Sequence, residues 1–468
     1  MNHKMEPSDN QSPLLPPPSR YSTGIRICWG IIICCVGFVA LLANINATKR
    51  TEQQEHSSRY DTDAGVNMNL RMISRYSVGI RTLLPLTSPE NVTKILQSLD
   101  AAAKSRRDRI CVAVVAGEIS GADEAIRRLS EIDNELEEFE VPVIFALHAI
   151  YQNSPEILNQ EQQDVLIREL GWHGRLALSF GRPAEDSLRR QILNSAARTM
   201  IVVFAVTVIA IGMLLLGLGL LITAITLRSK DRLRIRFAPV PEPGTTAPPA
   251  FLEAFAIYIA GYVLFSFVLA LLVPNPTMSY SLIFTIALPL ILAWPIWRGI
   301  NWRETLRGYG WHCGNGIFRE IGCGIIGYIT GLPVIAVAFL VTVGLARLAG
   351  VQPTHPVVEY FTLDGWQLAI IYFLACVWAP VMEETVFRGA LYNHLRSRRV
   401  NWVISATLVG LIFAAIHPQG WTTIPVLGAI GAVLACIREW RGSLIGPMAA
   451  HALSNATVTT IGVMLLGN

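Results

Sequence analysis

Apolar residues in this chain fall into nine long runs, at about 27–43, 200–227, 250–273, 279–297, 317–345, 366–382, 402–416, 423–437 and 444–466. A helix needs about 20 such residues to cross a bilayer, and several of the runs reach that length. The pattern therefore predicts an all-α, polytopic membrane protein of about nine spans. Between the first and second runs, residues 45–198 change character: they are polar, carry both signs of charge, and show helical apolar spacing. Ala122, Ala125, Ile126, Leu129, Ile132 and Leu136 recur at steps of three or four, which predicts an amphipathic helix. The stretch 163–170 reads the same way and is closed by Gly171. A mainly helical soluble domain is thus inserted between spans 1 and 2.

The expected order is a Pro- and Ser-rich disordered tail (1–23), a transmembrane anchor (24–44), the helical domain (45–198) and a second span (199–227). A basic, Pro-rich linker (228–249) then leads to the main membrane domain (250–468). A cleaved signal peptide is the rival reading of the first run, but the long tail before it favours an uncleaved anchor.

Composition supports a membrane protein, since 52% of the 468 residues are hydrophobic and 15% charged, against about 25% charged in soluble domains. The net charge of +4 is spread over the segments between runs. It predicts topology and contact with anionic lipid, and argues against a nucleic-acid partner. Basic residues cluster after the second run (Arg228, Lys230, Arg232, Arg234, Arg236) and then at Arg298, Arg303 and Arg307, at Arg396, Arg398 and Arg399, and at Arg438 and Arg441. The positive-inside rule makes these segments and the N-terminus cytoplasmic, places residues 45–198 outside, and suits a bacterial inner membrane. The eight cysteines are scattered without paired zinc spacings, and only Cys111 falls in the large polar region, so no disulfide framework is implied. His148, Glu169 and His173 fit no metal-ligand spacing and read as ordinary histidines and an ordinary carboxylate.

Candidate chemistry enters at Val381-Met-Glu-Glu-Thr-Val-Phe-Arg-Gly389. Glu384 and Arg388 stand four apart on one helical face and can pair, while Glu383 is turned about 100° away. Each ionisable group inside a bilayer costs at least ~2.5 kcal/mol on insertion scales and so marks a functional site; the plain alternative is a helix that has already left the membrane. Two further polar groups follow, Phe413-Ala-Ala-Ile-His417 and His451-Ala-Leu-Ser-Asn455, each with i, i+4 spacing. Three helices could therefore aim polar faces at one point.

In that order, and with Arg438-Glu-Trp-Arg-Gly-Ser-Leu-Ile-Gly-Pro-Met-Ala-Ala-His451, the motifs resemble the CPBP family of intramembrane proteases. That family includes type II CAAX prenyl endopeptidases and bacteriocin-processing proteins. The resemblance implies a membrane endopeptidase acting on a membrane-associated protein or peptide. It implies that Glu383 and His417 activate water, that His451 and Asn455 hold the oxyanion, and that Glu384 and Arg388 support them. A zinc metalloprotease is the rival chemistry, since two His and a Glu make a ligand set; the His-Glu-x-x-His helix is absent, so the expectation is no cofactor, with zinc as the alternative. A non-catalytic scaffold of the same fold, and after it a transporter, are the remaining readings.

Overall fold

The computed structural model describes residues 21–56, 68–84, 88–132, 140–152, 157–238, 249–272, 288–350 and 365–466. Among them the chain is helices and short connections, with no strand. The tail before residue 21, most of the Pro-rich linker and residues 279–287 lie outside the described residues. Two compact units emerge, one of residues 45–217 with 354–372 and 455–468, the other of 1–44, 218–353 and 373–454.

In the first unit, local signals in the sequence set the helix ends. Ser105 and Asp108 form a reciprocal capping box at the start of Arg106–Ser120, as do Asn159 and Gln162 at the start of Gln160–Leu170, which Gly171 closes. The amphipathic helix expected from residue 122 runs Ala122–Ile132; its expected continuation to Leu136 lies outside the described residues. Ala125 and Leu129 of that helix join a core built around Ile110, Val112, Val114, Leu147, Leu166 and Leu176. Helix Arg106–Ser120 is buried along nearly its whole length, so its charged residues need partners. Arg107 pairs with Glu169, and Glu118 takes both terminal nitrogens of Arg189 at 2.7 Å. Glu169 is thus committed to an ion pair, and His173 is enclosed in the core. Among the described residues no three His, Cys, Asp or Glu side chains are grouped to hold a metal ion.

In the second unit and the helices that run out of it, six described helices are long and apolar enough to cross a membrane: Thr23–Leu42, Ser187–Ser229, Ala250–Leu269, Ile317–Ala349, Gly365–Ser397 and Trp421–Arg441. The nine expected spans differ from these six at three places. Only 288–297 of the fourth run is described, as a 3-10 turn, Leu288–Ala293, and the single-turn helix Trp294–Trp297. Trp402–Ala415 has 14 residues, about 21 Å of helix against a hydrocarbon layer of about 30 Å. The last helix, Ile445–Leu466, is long enough, but His451, Ser454, Asn455 and three threonines dilute its apolar character.

Gly365–Ser397 does not end where its charges begin. Two π-helical stretches, Leu374–Trp378 and Thr385–Leu391, bracket the α-helical turn Ala379–Glu384. Pro380 opens that turn, where its missing N–H is absorbed by the wider winding before it. Beside it, Trp402–Ala415 packs so closely on Ile424–Arg441 that a Cβ on Gly431 would lie 2.7 Å from the Gly410 Cα.

Arg438 and Arg441, expected in a solvated loop, are buried. Arg441 clasps Glu320 with two bonds of 2.9 and 2.7 Å, and Arg438 donates to the carbonyls of Gly308 and Tyr309. Between them Glu439 accepts from Tyr392 and Arg396, while its carbonyl accepts from the backbone N–H of Phe237. A guanidinium forks to several acceptors at once, which is how such charges are held inside.

Candidate active site

The π-helical winding after Glu384 turns Arg388 inward, where both side chains are fully buried and joined by a 2.9 Å charge-assisted bond. Arg388 also donates to the Gly431 carbonyl at 2.8 Å, a contact that the close glycine packing permits. Its guanidinium lies 4.9 Å over the ring of Phe413. Glu384 Oε1 accepts a second bond, 2.9 Å from His451 Nδ1.

Glu383 is placed differently. It is 28% exposed, its Oε2 is 3.8 Å from His451 Nε2, and that buried oxygen has no hydrogen-bond partner among the described residues. The 100° turn between adjacent helical residues has therefore separated the two carboxylates, Glu384 into the packed interior and Glu383 toward the histidines.

His417 sits just past the end of Trp402–Ala415, with Nδ1 2.6 Å from the Phe413 carbonyl. A carbonyl only accepts, so Nδ1 carries the proton and Nε2 of the neutral ring is a bare lone pair. His451 Nδ1 likewise carries a proton, since it faces the Glu384 carboxylate. His417 lies within electrostatic reach of Glu383 and His451. Phe413 ties the group together: its ring centroid is 4.3 Å from that of His417 and 6.0 Å from that of His451, and 5.2 Å from that of Phe387.

Glu383, Glu384, Arg388, His417 and His451 thus come together within one unit. Asn455 follows His451 by one turn of Ile445–Leu466, on the same face of that helix. Three participants were not foreseen from the sequence: the Gly431 carbonyl, the ring of Phe413, and Glu384 as the holder of His451. The Phe-x-x-x-His spacing was the available signal for Phe413, because i, i+4 residues stack on one face. Both histidines engage Nδ1 and leave Nε2 open, an orientation that metal ligands share, yet these side chains form no metal-binding group of three among the described residues.

Part of the chain is similar to known proteins. Residues 365–457 match the family described as type II CAAX prenyl endopeptidase Rce1-like. The chain is 30% identical over 124 residues to the membrane-embedded CAAX protease MroQ of Staphylococcus aureus, covering 25% of this chain and 50% of that protein. It is 33% identical over 90 residues to an uncharacterized 24.3 kDa protein of Escherichia coli, covering 18% of this chain and 39% of that one. With the uncharacterized protein YpbD of Bacillus subtilis it shares 36% identity over 77 residues, 16% of this chain and 36% of the relative. The chain spans half or less of the length of these curated relatives, and no solved structure matches it. Residues 365–457, which carry all three polar motifs, are thus the part of the chain that is similar to type II CAAX prenyl endopeptidase Rce1-like proteins.

Proposed function

We propose that this chain is an intramembrane endopeptidase that hydrolyses a peptide bond in a membrane-associated protein or peptide. The observation that carries the reading is the unequal treatment of adjacent carboxylates. Each has one buried oxygen without a partner among the described residues, but the other oxygen of Glu384 is held by Arg388 and His451 at 2.9 Å, whereas Glu383 comes no nearer to His451 Nε2 than 3.8 Å. Burying such an acceptor without a partner costs stability, so its retention at Glu383 suits a group whose partner is a reacting water.

In this reading Glu383 takes a proton from water, and the Nε2 lone pair of His417 orients that water and shares the proton. The hydroxide attacks the peptide carbonyl carbon, and the electron pair of the C=O bond moves onto oxygen. His451 and Asn455 donate to that oxyanion. With Nδ1–H engaged by Glu384, donation from His451 Nε2 requires the doubly protonated ring. Collapse of the intermediate breaks the C–N bond, and the proton held by Glu383 passes to the departing amine. Every step is carried by this chain's own side chains, and no metal is assigned a part. The enzyme acts from a bacterial inner membrane, with its N-terminus cytoplasmic and residues 45–198 on the opposite side.

Comparative proteomics of membranes carrying the wild type or Glu383→Gln tests this. The expected result is a membrane protein that accumulates uncleaved with the variant and is cut by purified wild-type enzyme. Identical proteomes at equal expression, with no protein cut by the purified wild type, would leave a scaffold role as the better reading, and cleavage that survives in purified Glu383→Gln would remove Glu383 from the mechanism.

A further inference from the structure

Ala250–Leu269 and Ile317–Ala349 are candidate spans, and between them lies the short helix Trp302–Tyr309, started by Asn301, whose side chain accepts from the Arg303 N–H. One face of that helix packs on the protein. Thr305, Gly308 and Tyr309 are buried, the Tyr309 ring lies 5.1 Å from Phe251, and its hydroxyl donates to the Leu292 carbonyl at 2.9 Å. The opposite face has no partner among the described residues: Trp302 is 56% exposed, and Arg303, Leu306 and Arg307 are exposed beside it.

Exposed aromatic and basic residues also flank the helix in the chain. Trp297 is 66% and Phe318 91% exposed, and Trp311 and Arg319 are also exposed. Arg298 is not available to a ligand, because Glu253 holds it at 2.9 Å. That leaves Arg303, Arg307 and Arg319 against one exposed carboxylate on the helix, Glu304. Ile317–Ala349 has 33 residues, about 50 Å of helix against a hydrocarbon layer of about 30 Å, so its first turn belongs at the membrane surface. Tryptophans and arginines interleaved at that depth match headgroups: the rings sit at the polar–apolar boundary and a guanidinium forks onto phosphate.

We propose that the exposed face of Trp302–Tyr309, with Trp297, Trp311, Phe318 and Arg319, is a headgroup platform that binds anionic phospholipid. A zwitterionic headgroup would satisfy the rings but repel nothing and neutralise nothing, whereas the excess of unpaired arginine selects net negative charge. The platform is tied to the helix bearing Glu383, since Trp311 Nε1 donates to Thr385 Oγ1 at 3.1 Å, and to Ile424–Arg441, whose Arg438 holds the Gly308 and Tyr309 carbonyls. Its geometry is therefore set before lipid arrives.

The test uses the full chain in nanodiscs of phosphatidylcholine mixed with phosphatidylglycerol, followed by native mass spectrometry of retained lipid. The wild type should retain phosphatidylglycerol preferentially. The triple variant R303Q/R307Q/R319Q should lose roughly a hundredfold of that preference, taking each arginine at about a fivefold effect. These side chains are exposed, so the variant should keep its elution volume and melting temperature. Equal retention by wild type and variant overturns the proposal. In parallel, brominated phosphatidylglycerol should quench tryptophan fluorescence less in W302F than in the wild type. Quenching unchanged by W302F would mean that the face does not meet lipid and that something else, such as an acidic protein, covers it.

Discussion

Replacing Glu384 by Gln and Glu383 by Gln should have opposite consequences, though the residues are adjacent and the change is the same. Glu384 Oε1 accepts from both Arg388 and His451 at 2.9 Å, and its Oε2 has no partner among the described residues. A glutamine can put its own oxygen in the same place and its nitrogen where nothing is bonded, so shape and hydrogen-bond count survive. What is lost is charge. Arg388 is fully buried, and removing the counter-charge of a buried pair costs about 3–5 kcal/mol. At roughly 2–4 °C per kcal/mol, the melting temperature of Glu384→Gln should fall by about 6–20 °C. Glu383 has only the 3.8 Å approach to His451, so Glu383→Gln should stay within about 0.5 kcal/mol of the wild type while losing cleavage. Thermal unfolding in one detergent, followed by size-exclusion recovery, separates the two. A stable Glu384→Gln, or a Glu383→Gln that melts with it, would refute the division of labour between the carboxylates.

Three further outcomes are expected. Gly431→Val should weaken the packing of Trp402–Ala415 and dislodge the carbonyl that receives Arg388, because even a single Cβ would lie 2.7 Å from the Gly410 Cα; activity and melting temperature should fall together, and a variant that keeps both would contradict the close approach. In the 45–217 unit, burial and the nearby Arg71 and Arg75 charges lower the His173 pKa to about 3. Its ordinary value is about 6.5, so the unfolded chain takes a proton first as pH falls. Stability should be unaffected above pH ~6.5 and drop by up to about 1.4 kcal/mol per unit between there and pH ~3. The protection of Trp172–Leu178 amides relative to their intrinsic exchange rate in the full-length protein should fall over that window in the wild type and not in His173→Gln. Finally, purified active enzyme should keep its activity after chelation and carry no stoichiometric zinc by elemental analysis; zinc lost in step with activity would replace the water-activation scheme.

The i, i+4 rule made the Glu384–Arg388 pair legible in the sequence, and the 100° step per residue separated Glu383 from it. The all-α membrane architecture was equally legible, because runs of apolar residues need no tertiary information. The bond from Glu384 to His451 was not, since it joins residues 67 apart and depends on how two helices cross. The shortness of Trp402–Ala415 was legible too: the 402–416 run stops before Pro418 and Gly420, and the helix ends with it after 14 residues, so counting that run as a full span was the step that its length did not support. Arg438 and Arg441 misled for another reason. Positive-inside counting treats every arginine as solvated, whereas these two are absorbed by carbonyls and by Glu320.

The His451–Glu384 bond changes how the motifs depend on one another. Read separately, Glu-Glu-x-x-x-Arg supplies a base and a brace, and His-x-x-x-Asn supplies an oxyanion hole. Joined through Glu384 Oε1, the brace also fixes which nitrogen of His451 carries its proton and points the other at Glu383. Arg388 in turn reaches Gly431 and the ring of Phe413, whose carbonyl fixes the tautomer of His417. A single buried ion pair therefore orients both imidazoles around Glu383. Loss of Arg388 should disturb the orientation of His451 as well as stability, so an Arg388→Lys enzyme that is still folded, with one point charge where a fork reached Glu384 and Gly431, should cleave at a lower rate than the wild type at equal recovery from size exclusion.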